Sequence, residues 1–253
     1  MVKPNRRGRS GQIIVVTAFL IALIITSTAA YIYELSGNIG DADTYTINDL
    51  IDSIELGSTH TIISALADIT NGGSTQTLAN DLNEWTVAVG QQYWLGKLTL
   101  TYELNDSLPA GLYIGWAAMG SGVSEAWVRA RVGFRLNESG SGIEMQRSYY
   151  VNVSSSLYLE GITQNTSGTE RVSVSCSLFN EDEPALAKNL TIYYRESNEW
   201  IAPNATNNYV LRDYGNGTYT AIFDVENMTT PLYVSARVID ARQILVQANA
   251  TCL

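Results

Sequence analysis

The spacing of apolar and polar residues changes twice along the chain. From Ile13 to Tyr33 the chain is apolar nearly throughout and carries no charge. Wound as a helix, that run reaches about 30 Å, the thickness of a hydrocarbon core, and predicts a transmembrane helix over residues 13–34. Residues 35–46, rich in Gly, Asn and Asp, predict a loop. A helical period follows, with Ile47, Leu50, Ile51, Ile54, Ile62, Leu66 and Ile69 near one face. Gly57 is expected to bend or divide this helix, and Asn71-Gly72-Gly73 to end it. Ser74 or Thr75 is placed to cap a second helix with the stripe Leu78, Leu82, Trp85 and Val89.

From residue 97 the period becomes two. Lys97 to Leu104 alternates, and Gly111 to Met119 is an apolar strand candidate. Val128, Ala130, Val132, Phe134 and Leu136 share one face of the next strand, with Arg129, Arg131 and Arg135 on the other. Val151, Val153, Leu157 and Leu159 line a long fourth strand. These predict an antiparallel meander packed on the two helices. The remaining residues read as strands throughout: Val172 to Leu178, Leu190 to Tyr194, Tyr219 to Val225, Leu232 to Val238 and Ile244 to Cys252. Turn signals fall between them, as in a β-sandwich.

Two short stretches resemble known families. Arg6-Arg7-Gly8-Arg9-Ser10-Gly11-Gln12, followed directly by the apolar run, resembles the N-termini of archaeal type IV pilin-like proteins. The resemblance covers about the first 35 residues. It implies cleavage between Gly11 and Gln12 and a helix packed in a filament core. Val16 stands where many bacterial pilins carry Glu. Asp213-Tyr214-Gly215-Asn216-Gly217-Thr218-Tyr219 resembles a turn-and-strand motif of prokaryotic immunoglobulin-like surface domains, and implies such a fold over roughly residues 160–253. The expected architecture is therefore a cytoplasmic basic segment at 1–12, a transmembrane helix at 13–34, an α+β membrane-proximal domain at 35–148, and a distal all-β immunoglobulin-like sandwich at 149–253.

Charge adds the orientation. Lys3, Arg6, Arg7 and Arg9 precede the apolar run, which keeps the N-terminus in the cytoplasm and sends the bulk outside. A cut after Thr28-Ala29-Ala30, as in a secretory signal, is the rival reading. The chain carries a formal charge of −10, and so acidic a surface excludes nonspecific nucleic-acid binding. The membrane is then the expected partner, by a single span, with self-assembly or a surface-protein partner reached through the membrane-proximal helices.

Nine asparagines stand in Asn-x-Ser/Thr acceptors: Asn105, Asn137, Asn152, Asn165, Asn189, Asn204, Asn216, Asn227 and Asn249. The whole chain has 19 asparagines, for which chance alone would give about three acceptors. Asn152, Asn189 and Asn249 take outward strand parity, Asn105 and Asn137 strand ends, and the other four loops. Sugars need surface, so these placements suit glycosylation. Cys176 and Cys252 both take inward parity, and two cysteines in an extracytoplasmic domain point to a disulfide.

No nucleophile elbow, paired-histidine zinc motif or phosphate loop occurs, and no cofactor is implied. His60 is the only histidine and reads as structural or exposed. Glu181-Asp182-Glu183 and the pair Asp41 and Asp43 read as solvated acidic loops rather than calcium sites. The arginine row reads as a solvated face paired with Glu103 or Glu125, against docking onto an acidic neighbour. The expected function is that of a structural or adhesive cell-surface glycoprotein, with a pilin-like subunit as one form. The alternatives are a binding module accessory to a transporter or secretion machine, and a protein secreted after signal cleavage. An enzyme is not expected.

Overall fold

A computed structural model describes residues 43–93, 96–104, 111–117, 122–138, 144–166, 169–226 and 231–252. The chain divides into two units, at Ser53 and Ile54. Of the first unit the described part, residues 43–53, is the beginning of helix α1, Asp43–Thr70. All that follows belongs to the second unit.

Within that unit α1 continues to Thr70, and α2 spans Thr77–Gln92. Gly57 does not break α1. A Cβ there would stand 2.9 Å from the Trp85 indole nitrogen, so the glycine makes room for the ring of the neighbouring helix. Nor does the predicted loop reach residue 46, because α1 is already helical at Asp43. The end of α1 is as expected: Gly72 takes φ +104° and Gly73 N–H donates to the Asp68 carbonyl at 2.9 Å. At α2 the N-cap position falls to Gln76, whose side chain makes no capping bond; Ser74 Oγ instead accepts from Gln76 N–H at 3.2 Å.

Twelve strands follow in the described residues. They are β1 Gly96–Leu104, β2 Leu112–Gly115, β3 Val123–Glu138, β4 Glu144–Thr166, β5 Thr169–Asn180 and β6 Glu183–Pro184. Then come β7 Ala187–Glu196, β8 Glu199–Ile201, β9 Val210–Asp213, β10 Thr218–Glu226, β11 Tyr233–Asp240 and β12 Leu245–Thr251. One sheet runs β1-β3-β4-β5-β10-β9, with β2 added to β3 and β6 to β5; the other runs β12-β11-β7-β8. All the strand pairs are antiparallel.

The inward parities hold. Val128, Ala130, Val132, Phe134 and Leu136 of β3 are buried, as are Val172, Val174, Cys176 and Leu178 of β5. Two features of the expected architecture are corrected. No helix among the described residues is long and apolar enough to cross a membrane, and residues 13–34, expected to do so, lie outside the described residues. The domain boundary at 148–149 is also wrong. It falls inside β4, a 23-residue strand that pairs with β3 along its first part and β5 along its last. The α+β part and the sandwich share one large sheet and one core, because a period-two pattern reveals which residues point inward but not what covers them.

The inner face of that sheet is covered in two stretches. Near the start of β4 the helices lie over it: the Tyr149 hydroxyl donates to the Ile54 carbonyl at 3.1 Å and sits 3.0 Å from Ser58 Oγ. The Tyr102 hydroxyl of β1 donates to the Ala79 carbonyl at 3.2 Å. Near its end the second sheet lies over it. Gly161 pairs with Cys252 in a lone bridge, and Val234 Cγ2 lies 3.1 Å from where a Gly161 Cβ would be. Only glycine lets the sheets approach so closely.

Where the two covers meet, the β11–β12 turn is held by a fully buried carboxylate. Asp240 accepts from Arg242 N–H, Ile244 N–H and Arg242 Nε, each at 2.9 Å. Arg242 also donates to Glu181 at 2.8 Å and to the Ser154 carbonyl at 2.7 Å. The same turn bonds α1, through Asn71 Nδ2 to the Gln243 carbonyl at 2.9 Å and Leu245 N–H to Thr70 Oγ1 at 3.1 Å. Replacing Arg242 by Met would leave Asp240 buried with backbone donors alone, and should cost about 3 kcal/mol. Arg131→Met, which breaks an exposed pair, should cost less than about 1 kcal/mol. Urea unfolding midpoints of the two variants, at unchanged slope, check the difference.

Candidate functional site

Seven of the nine acceptor asparagines are among the described residues; Asn105 and Asn227 lie outside them. Six of the seven are exposed: Asn137, Asn152, Asn165, Asn189, Asn204 and Asn216. Asn137, Asn152 and Asn165 lie on β3 and β4 and Asn189 on β7, so both sheets carry acceptors. Asn165, expected in a loop, is in fact near the end of β4, where it faces Glu170 across the hairpin and donates to its carboxylate at 2.9 Å.

Asn204 and Asn216 sit near opposite ends of β10. Asn204 caps the single turn Ala205–Asn207, its Oδ1 accepting from Thr206 N–H at 2.8 Å and from Thr206 Oγ1 at 2.6 Å. Asn216 Oδ1 accepts from Thr218 N–H at 3.1 Å, in a turn where Gly215 and Gly217 take φ +72° and +81°. In both, the oxygen is occupied and the nitrogen, the atom that would carry a sugar, is not used by these bonds.

Asn249 differs from its expected outward position. It is half-buried, its Nδ2 donates to the Ala117 carbonyl at 3.1 Å, and its Oδ1 is buried without a partner. Strand parity points it away from the second sheet's core, but Ala117 after β2 and Gly122 before β3 bond it. Gly122 N–H donates to the Asn249 carbonyl at 3.1 Å, and Ser124 Oγ donates to the Gln247 carbonyl at 2.6 Å.

The arginine row faces outward as expected. Arg131 pairs with Glu103 at 3.6 Å, and Arg135 binds Glu144. Arg129 lies over the Trp127 ring, 5.7 Å from its centroid. On the other, helix-covered face Arg147, across from the buried Phe134, pairs with Glu55 of α1 at 3.3 Å. On the outward face Arg131 and Arg135, with Thr99, Thr101 and Gln146, line a shallow groove of about 610 Å³. A second groove, of about 690 Å³, lies beside Asp224. There Arg171 binds the Asp224 carboxylate at 2.9 Å and Asn208 Nδ2 donates to it at 2.8 Å. The Arg171 hydrogen bond, and then that from Asn208, hold the Asp224 carboxyl below its ordinary range. The folded state therefore gains from this group above the usual aspartate pKa, and loses that gain as pH falls through the depressed value.

His60 is exposed on α1, in a groove with Asp68 and Gln243. Among the described residues no three His, Cys, Asp or Glu side chains gather to hold a metal. Glu181, from the acidic loop, is engaged by Arg242 and by Ser154 N–H at 2.8 Å.

The expected disulfide is corrected: Cys176 and Cys252 are buried free thiols. Cys252 lies against Gly161, which pairs with Val174; Cys176 pairs with Leu159. The two are thus offset by two residues along β5, or about 7 Å. Burial pushes both thiols up to about 12. The sequence matches no known family model and no curated protein.

The thiol state is directly measurable. At pH 8 a disulfide-exchange reagent should titrate neither cysteine in the folded protein and both in denaturant, because buried thiols of such high pKa hold almost no thiolate. No titratable thiol in either state would mean that a bridge forms.

Proposed function

We propose that this protein is a structural or adhesive glycoprotein of the cell surface, exported with its N-terminus inside and its C-terminal bulk outside. The observation that carries the reading is the spread of acceptor asparagines. Six exposed ones lie on both sheets and near both ends of β10, around a continuous apolar core. Sugars so distributed cover the outside of the sheets and restrict broad protein contact there. The basic residues before the apolar run at 13–33 support export in this orientation.

Residues 43–93 hold no acceptor, and Leu56 and Val87 are exposed on the two helices at 60% and 58%. Contacts with a second copy or another surface protein would use this bare helical part. A pilin-like subunit is the form that the resemblance of the N-terminus favours.

Glycopeptide mass spectrometry of protein from its native membranes tests the reading. Sugar is expected on several of Asn137, Asn152, Asn165, Asn189, Asn204 and Asn216, with Asn249 bare because its amide is half-buried and bonded. Bare asparagine throughout would overturn it. The mature N-terminus, read in the same experiment, separates the forms. Gln12 at the start means pilin-like processing, Met1 or Val2 means retention of the whole N-terminus, and a start near Tyr31 means secretion.

A further inference from the structure

The two most exposed aromatic residues among those described are Tyr150, at 72%, and Tyr214, at 57%. Each stands two positions before an acceptor asparagine, Tyr150 before Asn152 and Tyr214 before Asn216. Nine positions of the 253 stand in that relation to an acceptor, so a shared placement of the two barest rings is not expected from scatter. Single exposed apolar residues need no explanation; two sharing one position relative to a modification site do.

On β4 the relation is geometric. Residues two apart on a strand point to the same face, about 7 Å apart, so the Tyr150 ring and the Asn152 amide stand side by side. Asn152 also faces Arg129 across β3, and Arg129 lies over Trp127, whose ring centroid is 5.7 Å from that of Tyr113. A sugar joined to Asn152 Nδ2 thus emerges between a bare tyrosine ring and a guanidinium resting on an aromatic pair. At Asn216 the acceptor is set by a turn. Tyr214 N–H donates to the Thr218 carbonyl at 3.1 Å, and Gly215 N–H to Asp213 Oδ1 at 2.7 Å, which ties Tyr214 and Asn216 into one small loop.

A pyranose has an apolar face of C–H groups, and an aromatic ring offers a flat apolar face beside a wet hydroxyl. We infer that Tyr150 and Tyr214 are seats for the first sugar residues on Asn152 and Asn216, which makes these two glycans ordered parts of the surface. The inference rests on the surface-glycoprotein reading and extends it to the protein–sugar contact. Stacking removes two exposed rings from water and holds each glycan against its sheet or turn.

Hydroxyl-radical footprinting of the full-length protein, purified from its native host, tests it. The protein of natural sequence is compared with N152Q and N216Q, and glycopeptide mass spectrometry is run on the same samples. Labelling of Tyr150 should rise several-fold in N152Q, and that of Tyr214 several-fold in N216Q. Tyr158, also exposed on β4 but two residues before Glu160, should not change in either variant. Tyr150→Ala and Tyr214→Ala should lower sugar occupancy at the neighbouring asparagine and leave Asn189 unaltered. Sugar on Asn152 and Asn216 with unchanged tyrosine labelling overturns the seats and leaves the glycoprotein reading intact. So does sugar on the other asparagines but not on these two. Bare asparagine throughout overturns both.

Discussion

Asp240 is fully buried, and the bonds it accepts decide where the β11–β12 turn can sit. An ionised carboxylate out of water is tolerated only when its lone pairs are met, and here two backbone N–H groups and the Arg242 guanidinium meet them. Having bonded Asp240, Arg242 reaches the Ser154 carbonyl near the middle of β4 and the Glu181 carboxylate in the β5–β6 turn. The turn also bonds the end of α1 through Thr70 and Asn71. Helix, long strand and second sheet are therefore registered against one another by a single polar knot. Its position matters because apolar contact, being non-directional, holds surfaces together without fixing their alignment.

The long strand explains why the second unit does not divide at 148–149. On its inner face β4 presents Val151 and Val153 towards one end and Leu157 and Leu159 towards the other, with Ser155 buried between them. The first part lies under the helices, as Tyr149 shows by bonding Ser58 and Ile54, and the last under β12, as Gly161 shows by bridging Cys252. Exchange of cover along one strand lets a single sheet serve both parts. The outward faces remain free of such demands, and Asn152, Arg131, Arg135 and Tyr150 are found there.

Physical context separates the acceptors that are open from the one that is not. Asn152 and Asn249 have the same sequence signal and the same expected parity. Asn152 is exposed on an outer face, whereas Asn249 is half-buried and uses its amide to satisfy the Ala117 carbonyl. The cysteines show the same limit. Inward parity correctly put both in the core, but two inward positions on different sheets need not face each other.

What the sequence by itself determined is local and periodic. The inward residues of β3, β5 and β10 through β12 follow from alternation, the end of α1 from Asn71-Gly72-Gly73, and the outward arginines from parity, since side-chain direction in a strand or helix depends on near neighbours. The tertiary structure decided whatever depends on residues distant in the chain. It joined the expected domains through β4, kept α1 whole at Gly57 because Trp85 packs there, left the cysteines apart, and half-buried Asn249. It also turned Asp240 and Arg242, which in a sequence look like any charged turn, into the knot between helix and sheets. Such pairings carry no periodic signal, because they arise only when folding brings together segments separated by tens of residues.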